Sequence, residues 1–174
     1  MTAFIRACAG NPDLEKYQPP FEDSDDDPKR CILLHSTVCS KLHLHSGSLA
    51  GRQRLEMNKQ LSAFVRGDKV TVVPAPNPPR AARKANCDIR GLQGYEYLVW
   101  EMRFRYPTHY RLVGVVPDKD YFLGLVLEQR ENIDWKTVCT SVLKTYRQML
   151  DQLPCVAVRS DNCSDAFTNW RVPK

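Results

Sequence analysis

The sequence has no run of about 18 consecutive apolar residues, and this excludes a transmembrane helix. The N-terminal stretch MTAFIRACAGNPDLEKY holds too short an apolar run for a secretory signal peptide, so a cytoplasmic protein without membrane attachment is expected. There is no C-x-x-C pair. The seven cysteines (Cys8, Cys31, Cys39, Cys87, Cys139, Cys155 and Cys163) are odd in number and scattered, without the tight paired spacing of zinc sites. Reduced thiols in a reducing compartment are expected, with no metal and no other cofactor. His43 and His45 would share one face of a strand, but no cysteine or carboxylate stands near enough to complete a metal site with them.

At 174 residues, with 43% hydrophobic and 26% charged residues, the chain has an ordinary globular mixture and the length of one domain with tails. The expected division is an acidic, disordered N-terminal tail over residues 1–29, one domain over 30–153, and a C-terminal extension over 154–174.

The net charge of +5 is unevenly placed. Between Asn11 and Arg30 stand seven acids (Asp13, Glu15, Glu22, Asp23, Asp25, Asp26 and Asp27) against three bases, a local balance of −4. Between Ser48 and Arg111 stand twelve bases and five acids, a balance of +7. A basic centre beside an acidic tail suits a polyanionic ligand, and the tail can act as an internal competitor for it.

QPPFEDSDDDP combines proline with like charges and buries little. The apolar, β-branched run CILLHSTV (31–38) predicts the first strand. Ser48 is a candidate N-cap for a helix with Leu55, Leu61, Phe64 and Val65 on one side and Arg52, Arg54, Lys59 and Arg66 on another, stopped at Gly67. DKVTVV (68–73) has strand propensity. Pro74, Pro76, Pro78 and Pro79 forbid a helix and predict an exposed loop. There, Arg80, Arg83 and Lys84 form a basic cluster fit for nucleic-acid backbone contacts. Asp88–Gly94, with two glycines, reads as a turn. YFLGLVLE (121–128) is nearly all apolar and predicts a strand buried on both faces. The helical spacing of Trp135, Val138, Val142, Leu143, Tyr146 and Leu150 predicts a helix from Asp134, stopped by Pro154.

The most informative stretch is WEMRFRYPTHYRLVGVV (100–116). Alternation puts Glu101, Arg103 and Arg105 on one strand face and Met102 and Phe104 on the other. Tyr106-Pro107-Thr108 breaks the run, and His109–Val113 begins a return strand. The hairpin gathers three arginines and a histidine, a plausible grip on phosphate. The whole order is strand, helix, loop, three meander strands, helix. It predicts an α+β fold: a small antiparallel meander sheet of about four strands flanked by helices.

That order, together with KANCDIRGLQGYEYLVWEMRFRYPTHYRLVGVV and the following QRENIDWKTV, resembles the RelE/ParE toxin superfamily over roughly residues 31–150. The segment that carries most of the resemblance is the strand-turn-YRLV unit. The resemblance implies a RelE-like fold and, in the branch that cleaves mRNA on the ribosome, an endoribonuclease neutralised by a cognate antitoxin. It implies that Arg103 and Arg105 occupy the basic positions of the second strand, Arg111 that of the third, and Arg130 the one after the fourth, around the scissile phosphate. The RNA 2′-hydroxyl would attack that phosphate without a metal. This requires a base, positive charge on the phosphate and a proton for the leaving 5′-oxygen. His109 is the candidate base, because arginine gives up its proton too reluctantly. Arg80, Arg83, Lys84, Arg105 and Lys136 are expected to bind RNA. Two departures stand out: Glu101 occupies one basic second-strand position, and Trp135 or Lys136 stands where the family has tyrosine. Two other readings follow. One is a non-catalytic protein of the same fold that acts by binding, as the gyrase-targeting branch does. The other is an unrelated α+β interaction protein that docks through its acidic tail.

Overall fold

The computed structural model describes residues 8, 10–19, 28–42, 50–73, 88–92, 99–104, 109–152, 167–168 and 170–171. Eight strands, three α-helices and one 3-10 turn are formed among them: β1 (Leu14–Lys16), β2 (Cys31–His35), α1 (Ser36–Leu42), α2 (Gly51–Val65), β3 (Val70–Val73), β4 (Ile89–Leu92), β5 (Val99–Arg103), β6 (Tyr110–Asp118), β7 (Tyr121–Gln129), the 3-10 turn Arg130–Asn132, α3 (Trp135–Asp151) and β8 (Trp170–Arg171).

The strands make one mixed sheet in the order β1-β2-β7-β6-β5-β4-β3-β8. This corrects the expectation of a small antiparallel RelE-like meander of about four strands. The expected hairpin does form, as β5 against β6, and β6 continues antiparallel to β7. But β2 joins β7 in parallel, β3 joins β4 in parallel, and β8 joins β3 in parallel. Parallel pairs need crossovers, and strands far apart in sequence carry no local sign of their partner.

Three further strands lie outside the expected ones. Within the segment read as an acidic tail, Leu14–Lys16 forms the edge strand β1 on β2, and Tyr17 is buried. Its hydroxyl donates to the Asn58 side-chain oxygen at 2.8 Å, which ties this segment to α2. The predicted turn at Asp88–Gly94 contains β4, paired with β5 from Ile89↔Met102 to Leu92↔Val99. In the C-terminal extension, β8 extends the sheet and Phe167 lies in the core, edge-on to Phe64 at 5.4 Å and to Trp100 at 5.9 Å between ring centroids. The first predicted strand ends earlier than read: helix α1 begins at Ser36. Helix α2 starts after Ala50, which makes no side-chain cap; Ser48 lies outside the described residues.

Alternation along the strands splits the core into two layers. Ile32, Leu34, Trp100, Met102, Leu112 and Phe122 face α2, where Met57, Leu61 and Phe64 meet them. Leu33, Val99, Val113, Val115 and Leu123 face α3 and its Cys139, Val142, Tyr146 and Met149. The nearly all-apolar β7 is buried on both faces because helices cover both.

Two glycines fix how closely β6 and β7 approach. Gly114 lies opposite Gly124, and a Cβ at Gly114 would stand 1.8 Å from the Leu123 carbonyl oxygen. The register steps from Val113↔Val126 to Gly114↔Gly124, so Leu125 is an extra residue on β7. This bulge shifts the alternation of β7, so that Leu127 joins the α2 layer while Leu123 and Leu125 stay in the α3 layer.

Candidate anion-binding site at one end of the sheet

The site is built around Glu101. On β5 it alternates with Trp100 and Met102, so it lies on the α3 face together with Val99 and Arg103. It is only 2% exposed. A carboxylate buried that deeply needs positive partners, and three arginines supply them. Arg103 Nε donates to Glu101 Oε1 at 2.7 Å. Arg111 Nε, on β6, stands 3.4 Å from Oε2. Arg90 Nε, on β4, stands 3.9 Å from Oε1. Sheet register accounts for this grouping: Arg103 lies directly opposite Arg111, and Arg90 directly opposite Glu101. Three guanidiniums around one carboxylate leave a net positive charge.

The three arginines are not equivalent. Arg111 is 8% exposed, and its Nη1 also donates to the carbonyls of Tyr110 at 2.8 Å and Phe104 at 3.3 Å. It binds the start of β6 to the end of β5. Arg103 is half-buried, and among the described residues its terminal nitrogens have no protein partner beyond Glu101. Its anchored Nε therefore orients a terminal fork that can still donate.

Where β6 begins and β7 ends, His109 and Arg130 meet. Arg130 N donates to the His109 carbonyl at 3.0 Å. Both side chains are exposed, and His109 has a left-handed backbone with φ 49°. A non-glycine residue there is uncommon and marks a backbone held by its surroundings. Arg130 opens the 3-10 turn that leads to α3. Lys136, in the first turn of α3, is exposed. The α3 N-cap is Asp134: its carboxylate accepts from Thr137 Oγ1 and from Lys136 N, and the Thr137 bond above all holds its pKa below the usual carboxylate value.

The structure thus places Arg103, Arg111, His109 and Arg130 on the adjoining ends of β5, β6 and β7. Lys136 follows one turn later. Arg80, Arg83, Lys84 and Arg105 lie outside the described residues, as do His43, His45 and the Tyr106-Pro107-Thr108 turn. The expectation that Arg111 is exposed is corrected: its side chain is sealed by Glu101 and two carbonyls. Arg90 is an addition. Its membership depends on β4 pairing with β5, which the glycine-rich local sequence concealed. Glu101, which reads in sequence as a departure from a basic pattern, is the centre of the cluster.

Near Tyr110, burial and the Glu128 carboxylate push the phenol pKa upward. Lys41 Nζ joins Glu128 at 3.4 Å and donates to the Leu127 carbonyl at 2.7 Å, which fixes α1 to the end of β7. Among the described residues no group of three or more His, Cys, Asp or Glu side chains could hold a metal ion, and no helix is long and apolar enough to cross a membrane. No protein-family model, curated protein or solved structure matches the chain.

Proposed function

We propose that this protein is an endoribonuclease that cleaves mRNA, at the ribosome, by attack of the 2′-hydroxyl on the adjacent phosphate. The observation that carries this reading is the gathering of His109, Arg130, Arg103 and Arg111 at one end of the sheet. In this reading His109 removes the 2′-hydroxyl proton. The 2′-oxygen forms a bond to phosphorus, and the bond to the 5′-oxygen breaks. The products are a 2′,3′-cyclic phosphate and a 5′-hydroxyl that takes up a proton. Arg130 and the terminal nitrogens of Arg103 stabilise charge on the phosphate. Arg111 acts through position, since its side chain is committed to Glu101 and the backbone. Lys136, with Arg80, Arg83, Lys84 and Arg105, holds the strand through its backbone.

The strand-turn-YRLV segment supports kinship with the RelE/ParE superfamily, and with it translation inhibition, a cognate antitoxin as protein partner, and the cytoplasm as the place of action. The larger mixed sheet is a departure from that family's small sheet.

One observation favours a second reading. Glu101 already neutralises part of the arginine charge, which suits a surface that binds a polyanion or a protein target without cutting it. Expression in a bacterial host with 5′-end mapping of cellular mRNA separates the two. The nuclease reading expects new cuts within translated codons that disappear in Arg130→Ala. Growth arrest without cuts supports binding alone.

A further inference from the structure

Beside the arginine cluster, where the C-terminal half of α2 overhangs β3, β4 and β5, lies a hollow of about 380 Å³. Its wall is apolar: Ala63, Phe64, Val70, Ile89 and Met102. Its polar lining is Gln60, Asp68, Lys69, Asp88 and Arg103. This size and this mixture, mostly apolar with a few polar groups, are those of a small-ligand site.

The chemistry of those polar groups narrows the ligand. Asp88 Oδ2 already accepts from Thr71 N at 2.8 Å, and Asp68 Oδ2 pairs with Arg66 at 3.2 Å. Among the described residues the Gln60 amide and the Lys69 ammonium have no partner. An amide both donates and accepts, as the edge of a nucleobase requires. Lys69 and Arg103 supply cations for phosphate. Arg103 belongs both to this hollow and to the Glu101 cluster, so a strand held at the cluster passes the mouth of the hollow. Only an unpaired base can leave the strand to enter it.

We infer that the hollow binds one base of single-stranded RNA, next to the phosphate held at Arg103, and that it gives the protein its base preference. This rests on the RNA reading above. Gln60 reads the base edge, the apolar wall receives its ring, and Lys69 meets the neighbouring phosphate.

Ala63 is half-buried on α2, where leucine is well tolerated by a helix. Ala63→Leu therefore fills the hollow without breaking the fold, which a thermal melt verifies. Binding is measured for 2′-O-methyl hexamers of A, C, G and U, which lack the attacking hydroxyl, and for the four free 5′-mononucleotides. The wild type is expected to rank the four hexamers over about tenfold or more, in line with discrimination by one good amide–base pair. Ala63→Leu compresses that range to within about twofold and abolishes mononucleotide binding. Gln60→Ala changes the ranking. Lys69→Ala weakens all four alike and lowers the slope of log affinity against log salt by about 0.7. Equal binding of all four hexamers by the wild type, or an unchanged ranking in folded Ala63→Leu, overturns the hollow as a base site and leaves the RNA reading standing. Mononucleotide binding lost in Ala63→Leu, without binding of any hexamer, keeps the hollow as a nucleotide site and overturns the RNA reading. Binding of neither overturns both.

Discussion

Arg103 and Arg111 lie directly opposite each other on β5 and β6, and both turn their Nε toward the same buried carboxylate, Glu101, at 2.7 and 3.4 Å. Two like charges on facing strand positions repel. Here the carboxylate between them turns that repulsion into a clamp. Arg111 becomes part of the sheet, while Arg103 keeps a terminal fork available to a ligand.

Arg111→Ala is expected to unfold the protein more readily. It strips Glu101 of one partner and removes the bonds to the Phe104 and Tyr110 carbonyls. Breaking a buried ion pair on one side costs about 3 kcal/mol or more. At this chain length that corresponds to a melting-point drop on the order of 6–12 °C. Thermal denaturation checks it, and an unchanged melting point would mean that the clamp contributes nothing.

Arg130→Ala is expected to leave stability within about 0.5 kcal/mol of wild type, because its side chain is exposed. In the nuclease reading it abolishes toxicity. Comparing growth arrest with urea denaturation of the same variant separates site from scaffold. Loss of toxicity together with unfolding would remove the distinction.

Phe167→Ala is expected to cost about 3–5 kcal/mol. The ring is 2% exposed and meets both Phe64 and Trp100 edge-on. Next to it, Thr168 binds the Asp120 carboxylate, and its carbonyl accepts from the buried Arg30. Deleting residues 167–174 should destabilise the protein at least as much. If deletion leaves the melting curve unchanged, this segment is no part of the fold's stability.

The buried thiols give a pH dependence. Burial pushes Cys8 and Cys39 up to about 11 from an ordinary value of 9.0. The folded state thus keeps these thiols neutral where the unfolded chain ionises them. Their contribution to stability is full below pH 9 and is lost as the pH rises toward 11. Denaturation midpoints should fall across that window, and thiol-labelling reagents at pH 8 should modify Cys8 and Cys39 only after denaturant is added. Rapid labelling in buffer would contradict the burial.

RNA binding, if it occurs through this surface, should weaken steeply between low and moderate salt, because phosphate neutralisation releases counterions. Filter binding over a salt series measures the slope. A flat response would argue against a phosphate-gripping surface.

Alternation and apolar runs were enough to place β5, β6, β7 and α3, because each carries its period locally. The same alternation put Glu101 and Arg103 on one face. It could not reveal that the face is covered, so Arg111 read as exposed. The parallel pairings β2–β7, β3–β4 and β3–β8 depend on contacts between distant segments. β1 and β8 are two or three residues long, too short for any period to register. Gly91 and the neighbouring Gly94 read as a turn, yet Gly91 pairs with Trp100 inside a strand. Arg90 was hidden with it.

The most direct test of the account is 5′-end mapping of mRNA after induction of the wild-type chain and of Arg130→Ala, with the melting point of each variant measured alongside. The account predicts new cuts within translated codons for the wild type and none for an equally stable Arg130→Ala. Identical cut patterns in the two, or no cuts by a well-folded wild type, would contradict it.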